Sequence, residues 1–169
     1  AAATGAANLG QGFPDADGPE WIREAAITAV REGANQYPPG RGIPALRAAV
    51  AAHQLRHYGM TFDPNSEILI TAGATEAIAS AILALAGPGD EVLTLEPFYD
   101  SYAAGIAMAG ATHVTVPLVP GADGFRLDVE ALAERVTERT RLILVNTPHN
   151  PTGTVLTRAE LERVAEAAT

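Results

Sequence analysis

The chain has 169 residues, 47% of them hydrophobic, so it is long enough to bury a core and falls in the size range of one domain. Its formal net charge of −9 argues against nucleic acid and anionic membranes and favours a small-molecule partner. The sequence contains neither cysteine nor lysine, which excludes disulfides, a cysteine nucleophile and any step in this chain that needs a lysine. The longest apolar run is too short to span a bilayer, so we expect a cytoplasmic protein.

The first segment combines a glycine-rich loop with an amphipathic helix. Gly12 lies in the loop 8–15, where a residue without Cβ allows the backbone to approach a ligand, although a plain connecting loop is the alternative. Proline and glutamate at 19 and 20 predict a helix start, and the apolar spacing continues until Gly33.

A second loop, 35–42, displays Tyr37, which we consider either a phosphate or ligand contact or a packing residue. A helix is predicted over 43–58. His53 and His57 are four residues apart on it, a spacing that can hold a metal, but no third ligand accompanies them. We therefore expect a solvated helix face and no metal site.

A strand is predicted over 67–71, followed directly by a helix over 75–86 that is apolar nearly all round. Such a helix is expected to be buried in the body of a larger domain. Gly73, Ala74 and Thr75 form its start, where free N–H groups and the helix dipole favour an anion, although a simple helix cap is the alternative.

A strand over 92–95 leads to Tyr99, whose ring could stack on a planar ligand or close the top of the core. The next elements are predicted in the order helix, strand, loop and helix: a helix through Met108, a strand over 113–117, a loop at 121–124 and a helix from about 128 to 136. This alternation of strands and helices indicates a mostly parallel sheet.

The apolar run 142–145 predicts a buried strand that ends at Asn146, and the octet 146–153 follows it. Two prolines make this loop stiff, so it should orient Asn146 and Asn150 reproducibly; a turn that merely connects strand to helix is the alternative. Thr157 and Glu160 predict a capping box that opens the last helix. An anion-binding helix start, an aromatic ring and an asparagine loop together suit a phosphorylated, planar, heteroaromatic ligand.

Four motifs in this order and spacing resemble the N-terminal part of class I/II aminotransferases, fold-type-I enzymes that use pyridoxal 5′-phosphate (PLP). They are NLGQGFPD at 8–15, NQYPPG at 35–40, EPFYDSY at 96–102 and NTPHNPTG at 146–153. Within the family, the chain is similar to kynurenine and glutamine aminotransferases and to N-succinyldiaminopimelate aminotransferases. The resemblance implies a three-layer α/β fold with a mostly parallel sheet, helices on both faces and an N-terminal segment. It places the segment at 1–40 and the first half of an incomplete PLP-binding large domain at 41–169.

The resemblance also implies a role for each site residue. Asn150 matches the asparagine that donates to the phenolic oxygen of PLP, and Tyr99 the ring that stacks on the pyridine. The helix start at 73–75 matches the phosphate site, with Gly73, Ala74 and Thr75 as its residues. Tyr37 corresponds to a tyrosine that reaches the phosphate of the neighbouring subunit, which implies a homodimer. Gly12 and Asn146 match positions near the substrate.

In the family, the lysine that forms a Schiff base with PLP lies further along the chain, as do the aspartate and arginine of the site. We therefore expect no catalytic residue among these 169 and interpret the sequence as part of a longer enzyme. The first hypothesis is an aminotransferase acting between an amino acid and a 2-oxo acid or aldehyde, N-succinyldiaminopimelate being one candidate substrate. The alternatives are a PLP-dependent C–S β-lyase and a non-catalytic fragment that binds PLP or a partner chain.

Overall fold

The computed structural model describes residues 4–7, 12, 16–122 and 124–169. The chain divides into two compact units, Ala1–Ile68 and Leu69–Thr169. The glycine-rich loop at 8–15 lies outside the described residues except for Gly12. The division into an N-terminal segment and a large domain at residue 40 stays a prediction.

The first unit contains two helices, α1 (Glu20–Arg31) and α2 (Pro44–Tyr58), close to the predicted bounds. Helix α2 begins with a proline and ends at Gly59, whose φ of 67° gives the left-handed conformation that terminates many helices. Arg47 is buried and donates to the carbonyls of Gly42 and Pro64. This arginine therefore ties the loop before α2 to the turn after it.

The second unit alternates helices and strands. Its elements are α3 (Ala74–Leu85), β1 (Glu91–Glu96), α4 (Ser101–Ala109), β2 (Thr112–Pro117), β3 (Val119–Gly121), β4 (Gly124–Arg126), α5 (Val129–Arg135), β5 (Thr140–Leu144) and α6 (Arg158–Ala167). Strands β2, β1 and β5 form a parallel sheet in that order. Helix α6 begins with the predicted capping box between Thr157 and Glu160.

Each face of this sheet is covered by a pair of helices. Leu93 and Leu95 point to one face, where they pack in a core with Leu132 of α5 and Val164 of α6. Val92 points to the opposite face, whose core includes one residue each from α3 and α4, Ile82 and Ile106. The period of two along β1 therefore separates two cores, and the predicted α/β class with helices on both faces is confirmed.

One local prediction was wrong. The segment 67–71 is not a strand, because it has no ladder partner among the described residues, and Leu69 is 57% exposed. Within this chain Ile82 is the buried residue of helix α3, and Leu83 and Leu85 are about half exposed, so the burial of this helix in a larger domain stays a prediction. The predicted loop at 121–124 agrees with the structure, where Gly121 and Gly124 are paired at the end of an antiparallel hairpin, β3–β4. Its two three-residue strands are too short to be predicted from periodicity.

Candidate functional site

The carboxyl edge of the parallel sheet carries most of the predicted site residues. Strands β1 and β5 are neighbours in parallel register, with Thr94 opposite Leu144. Tyr99 follows the end of β1, and the loop 146–153 follows the end of β5. Because the carboxyl ends of parallel strands meet at one edge, Tyr99 and the asparagine loop lie at the same edge of the sheet.

The start of α3 lies at this edge as well. The last carbonyl of the helix, that of Leu85, accepts a 3.1 Å hydrogen bond from Nε of Arg141, near the beginning of β5. The carboxyl end of α3 is therefore at the amino edge of the sheet. Since a helix is a straight rod at this length, its start points to the opposite, carboxyl edge.

The start of α3 presents free backbone donors. The first intrahelical bond runs from the N–H of Ala77 to the carbonyl of Gly73, 3.4 Å, so the N–H groups of Ala74, Thr75 and Glu76 precede it. In the part of the chain that the structure describes, no side chain caps these groups. Together with the helix dipole, they make an exposed position that suits a phosphate.

Short-range contacts hold the approach to this helix in place. The hydroxyl of Thr71 donates to the carbonyl of Gly73, and the N–H of Gly73 donates to the carbonyl of Thr71, each at 2.9 Å. Gly73 has a φ of 86°, a conformation that favours glycine. The Glu76 carboxylate accepts from the N–H of Ala72, the residue before Gly73, and so links the first turn of α3 to the segment before it.

Tyr99 presents a half-exposed aromatic ring, with 41% of its surface accessible. Its ring meets that of Tyr102 edge to face, with centroids 5.9 Å apart. Tyr102 is 6% exposed, and its burial raises the pKa of its hydroxyl, with a smaller contribution from Tyr99. The buried ring thus supports the exposed one, which leaves a face of Tyr99 for a planar ligand.

In the asparagine loop, 146–153, the side chain of Asn146 forms a hydrogen bond within the loop, whereas the side chain of Asn150 is exposed. Oδ1 of half-buried Asn146 accepts a 2.8 Å hydrogen bond from the backbone N–H of Asn150. The side chain of Asn150 is exposed and makes no hydrogen bond to any residue that the structure describes. Because the backbone of Asn150 is held in place and its side-chain amide is exposed, this amide can donate a hydrogen bond to a ligand oxygen.

His149 is a residue of this loop that sequence reasoning missed. It is only 4% exposed, and its Nδ1 lies 2.9 Å from Oγ1 of Thr152. Burial lowers the pKa of its imidazole. The signal in the sequence was a histidine in a proline-stiffened loop with hydroxyl residues three and five positions later, Thr152 and Thr154.

A second missed histidine supports the Tyr99 segment. Nε2 of His113 lies 2.8 Å from Oγ1 of Thr94, which is fully buried in β1. The ring of Phe98, next to Tyr99, meets the His113 ring edge to face at 4.7 Å. Burial lowers the pKa of His113, and the nearby Glu96 carboxylate opposes this with a smaller effect.

Tyr37 and Gly12 belong to the first unit. Tyr37 is fully exposed, and Gly12 is exposed with open space where a Cβ would lie. Their roles towards a phosphate and a substrate stay predictions. Among the described residues, no group of three metal-ligating side chains occurs, and the rings of His53 and His57 contact each other on α2.

One cavity in the described part of the chain lies away from this edge. It has a volume of about 240 Å³ and is lined by residues near the beginning of β5 and the end of α6, including Thr140 and Ala168. These residues carry none of the predicted site groups. At the candidate site itself, Tyr99 and Asn150 are exposed at an edge of the sheet.

The chain has a three-layer α/β fold that it shares with PLP-dependent aminotransferases. A solved structure of N-succinyldiaminopimelate aminotransferase from Mycobacterium tuberculosis superposes with a TM-score of 0.94 at 57% identity, over 99% of this chain and 44% of that one. The sequence profile of the family described as aminotransferase class I and II matches residues 4–169. The chain belongs to the class I and II aminotransferases, an enzyme family whose cofactor is PLP.

Two relatives illustrate the similarity. A probable N-succinyldiaminopimelate aminotransferase of Mycobacterium tuberculosis is 58% identical over 97% of this chain and 41% of its own length. A kynurenine–oxoglutarate transaminase 3 of Mus musculus is 40% identical over 94% of this chain and 37% of its own length. The predicted resemblance is confirmed, and the chain spans less than half the length of these relatives. In the described residues, none of the helices has the length and apolar character to cross a membrane.

Proposed function

We propose that this chain is the first part of a PLP-dependent aminotransferase, and that the carboxyl edge of its sheet holds the cofactor. The observation that carries the proposal is that three unused binding groups share this edge. They are the N–H groups of α3, which no described side chain caps, the open ring face of Tyr99, and the amide of Asn150, which has no partner among the described residues. An anion, a planar ring and a polar oxygen on one ligand would engage all three.

Each group has a distinct task in this proposal. The N–H groups of Ala74 and Thr75, with the Thr75 hydroxyl, bind the phosphate, because the helix dipole and free donors stabilise a negative charge. Gly73 shapes the turn into that helix. Tyr99 stacks on the pyridine ring. The Asn150 amide donates to the phenolic oxygen and so favours its ionised form. When bound, PLP supplies an electron sink for chemistry at the α-carbon of an amino acid.

The reaction proposed is transfer of an amino group between an amino acid and a 2-oxo acid or aldehyde. Asn146 and Gly12 are proposed to lie near the substrate. Support for N-succinyldiaminopimelate as a substrate comes from the name of the relative that is 58% identical. The chain contains no lysine, so the amine that anchors the cofactor covalently would come from outside these 169 residues.

We also propose a homodimer in which Tyr37 reaches the cofactor phosphate of the partner subunit. The support is its complete exposure, since a tyrosine that packs within its own unit would be at least partly covered. A cytoplasmic location remains our prediction.

The test uses the complete protein that contains this chain. After reconstitution with PLP, we expect amino transfer from glutamate to 2-oxo acids. Borohydride reduction should add one pyridoxyl phosphate group to the denatured mass. The Asn150→Ala variant should bind PLP more weakly, whereas Ser80→Ala, an exposed change on the outside of α3, should bind it normally. Release of thiol and ammonia from sulfur-conjugated amino acids without transfer would instead identify a C–S β-lyase. Failure to bind PLP would overturn the proposal.

A further inference from the structure

We infer that His149 is a positioning residue for Asn150, fixed in its Nδ1–H tautomer by a hydrogen-bond relay that ends at the carbonyl of Phe125. The tautomer rests on the contacts alone. The effect on cofactor binding rests on the proposed function, because Asn150 is the group that would touch PLP.

The relay consists of three side-chain contacts in a row. Nδ1 of His149 lies 2.9 Å from Oγ1 of Thr152, which donates to Oγ1 of Thr154 at 2.9 Å. The Thr154 hydroxyl in turn donates to the carbonyl oxygen of Phe125 at 3.4 Å. Phe125 lies in β4, so the relay joins the β3–β4 hairpin to the asparagine loop.

The last acceptor decides the direction of every proton in the relay. A carbonyl oxygen can only accept, so the single hydroxyl proton of Thr154 points to Phe125. The hydroxyl proton of Thr152 is then directed to Thr154, and Thr152 also accepts from the N–H of Thr154 at 3.3 Å. The remaining contact can form only if Nδ1 of His149 carries a hydrogen and donates it. The relay therefore selects the Nδ1–H tautomer.

Backbone hydrogen bonds also hold His149 in place. The N–H of His149 donates to the carbonyl of Thr154 at 2.8 Å, and its carbonyl accepts from the N–H of Gly153 at 2.7 Å. The following residue, Asn150, has its own N–H bound to Asn146. Because the His149 ring is buried and hydrogen-bonded, and the N–H of Asn150 is bonded as well, the backbone of both residues is held in place. The exposed side-chain amide of Asn150 is therefore attached at a defined position.

The chemistry of the donor predicts which substitutions preserve this arrangement. In asparagine, the amide nitrogen is attached at the same distance from Cβ as Nδ1 of histidine, so His149→Asn can still donate to Thr152. In glutamine the amide is one bond further out, where it corresponds to Nε2. Glutamine is larger than asparagine and, like the neutral imidazole, is polar and uncharged. His149→Gln should nevertheless lose the hydrogen bond to Thr152 with which the relay begins.

The first experiment reads the tautomer in the complete protein without PLP. Long-range ¹H–¹⁵N correlation of the histidine rings should show His149 with its hydrogen on Nδ1, and Thr152→Val should abolish that preference while Thr152→Ser retains it. A hydrogen on Nε2 in the unaltered protein would overturn the relay. This result does not depend on what the site binds.

The second experiment measures the dissociation constant of PLP by absorbance titration. We expect His149→Asn to stay within about threefold of the unaltered protein and His149→Gln to bind about tenfold more weakly, the loss associated with one hydrogen bond. Leu132→Ala, a core change in α5, serves as a control for general destabilisation. Equal weakening by His149→Gln and Leu132→Ala would overturn the positioning role.

The Asn150→Ala variant separates this inference from the proposed function. If it binds PLP normally, the proposed role of Asn150 fails, and the positioning role of His149 fails with it. If it weakens PLP binding while His149→Gln does not, the proposed function stands and only the positioning role is overturned. We expect both variants to weaken binding.

Discussion

The backbone N–H of Asn150 donates to Oδ1 of Asn146 at 2.8 Å, so one asparagine of the loop holds the other in place. Asn146 itself lies two residues after the end of β5, so the parallel sheet sets the position where this loop begins. The side chain of Asn150 remains free for a ligand. Asn146 therefore connects strand β5, which belongs to the core, to the Asn150 side chain at the candidate site.

This pair predicts different effects for two substitutions at Asn146. Asn146→Ala removes the acceptor, so we expect PLP to bind the complete protein about tenfold more weakly, as the loop loses one hydrogen bond. Asn146→Asp keeps an acceptor oxygen but adds a negative charge, so PLP binding should be retained while the KM for the amino acid rises. Absorbance titration and steady-state kinetics measure the two effects. Unchanged KM in Asn146→Asp would place Asn146 away from the substrate carboxylate.

The start of α3 predicts a phosphate contribution from Thr75. Replacing Thr75 by valine preserves shape and removes one hydroxyl donor, which is worth about 1.5–3 kcal/mol when it binds a charged group. We expect PLP affinity to fall by one to two orders of magnitude, whereas pyridoxal without the phosphate should bind equally well to both proteins. Ser80→Ala is the matched control on the same helix. Equal losses for both ligands would argue against a phosphate contact.

Two buried histidines predict a pH dependence of stability. Burial lowers the pKa of both His113 and His149 below the ordinary value of 6.5. Below that pH the unfolded chain takes up protons that the folded protein does not, so the free energy of unfolding should fall as the pH drops below about 6.5. The slope from each group is at most about 1.4 kcal/mol per pH unit. Above about pH 8 neither group should contribute a measurable slope.

Urea unfolding at several pH values between 5.5 and 7.5 measures this effect. A variant with both His113→Asn and His149→Asn should show a flatter dependence than the unaltered protein, because neither asparagine titrates. An equally steep dependence in that variant would assign the effect to other groups.

The core beneath the sheet predicts a large cost for Leu132→Ala. Leu132 is fully buried against the sheet face that carries Leu93 and Leu95. Truncation of a buried leucine costs about 2–5 kcal/mol. Leu161→Ala in α6 is the control, since that side chain is 37% exposed and should cost far less. Thermal unfolding should give a clearly lower Tm for Leu132→Ala than for Leu161→Ala. Similar Tm values would mean that Leu132 of α5 contributes little to this core.

The elements that short-range patterns specify were predicted well from the sequence. The capping box of α6 depends on Thr157 and Glu160, three residues apart, and the apolar runs of β1 and β5 depend on neighbouring residues. The stiff asparagine loop was also evident, because its prolines and glycine act locally. The proposed site roles of Asn150, Tyr99 and Thr75 were inferred from family resemblance, and the structure adds that these residues lie at one edge of the sheet.

Only the tertiary structure decided which polar groups remain free. Thr152 and Thr154 indicate hydroxyl partners near His149, but the sequence does not indicate that its ring is buried, or that its relay ends at Phe125 through a bond from Thr154 that spans 29 residues. Likewise, 67–71 has the composition of a strand but no partner among the described residues, since pairing depends on a second segment. Local periodicity and capping thus determine the elements, whereas burial and hydrogen-bond direction depend on contacts between segments distant in the chain.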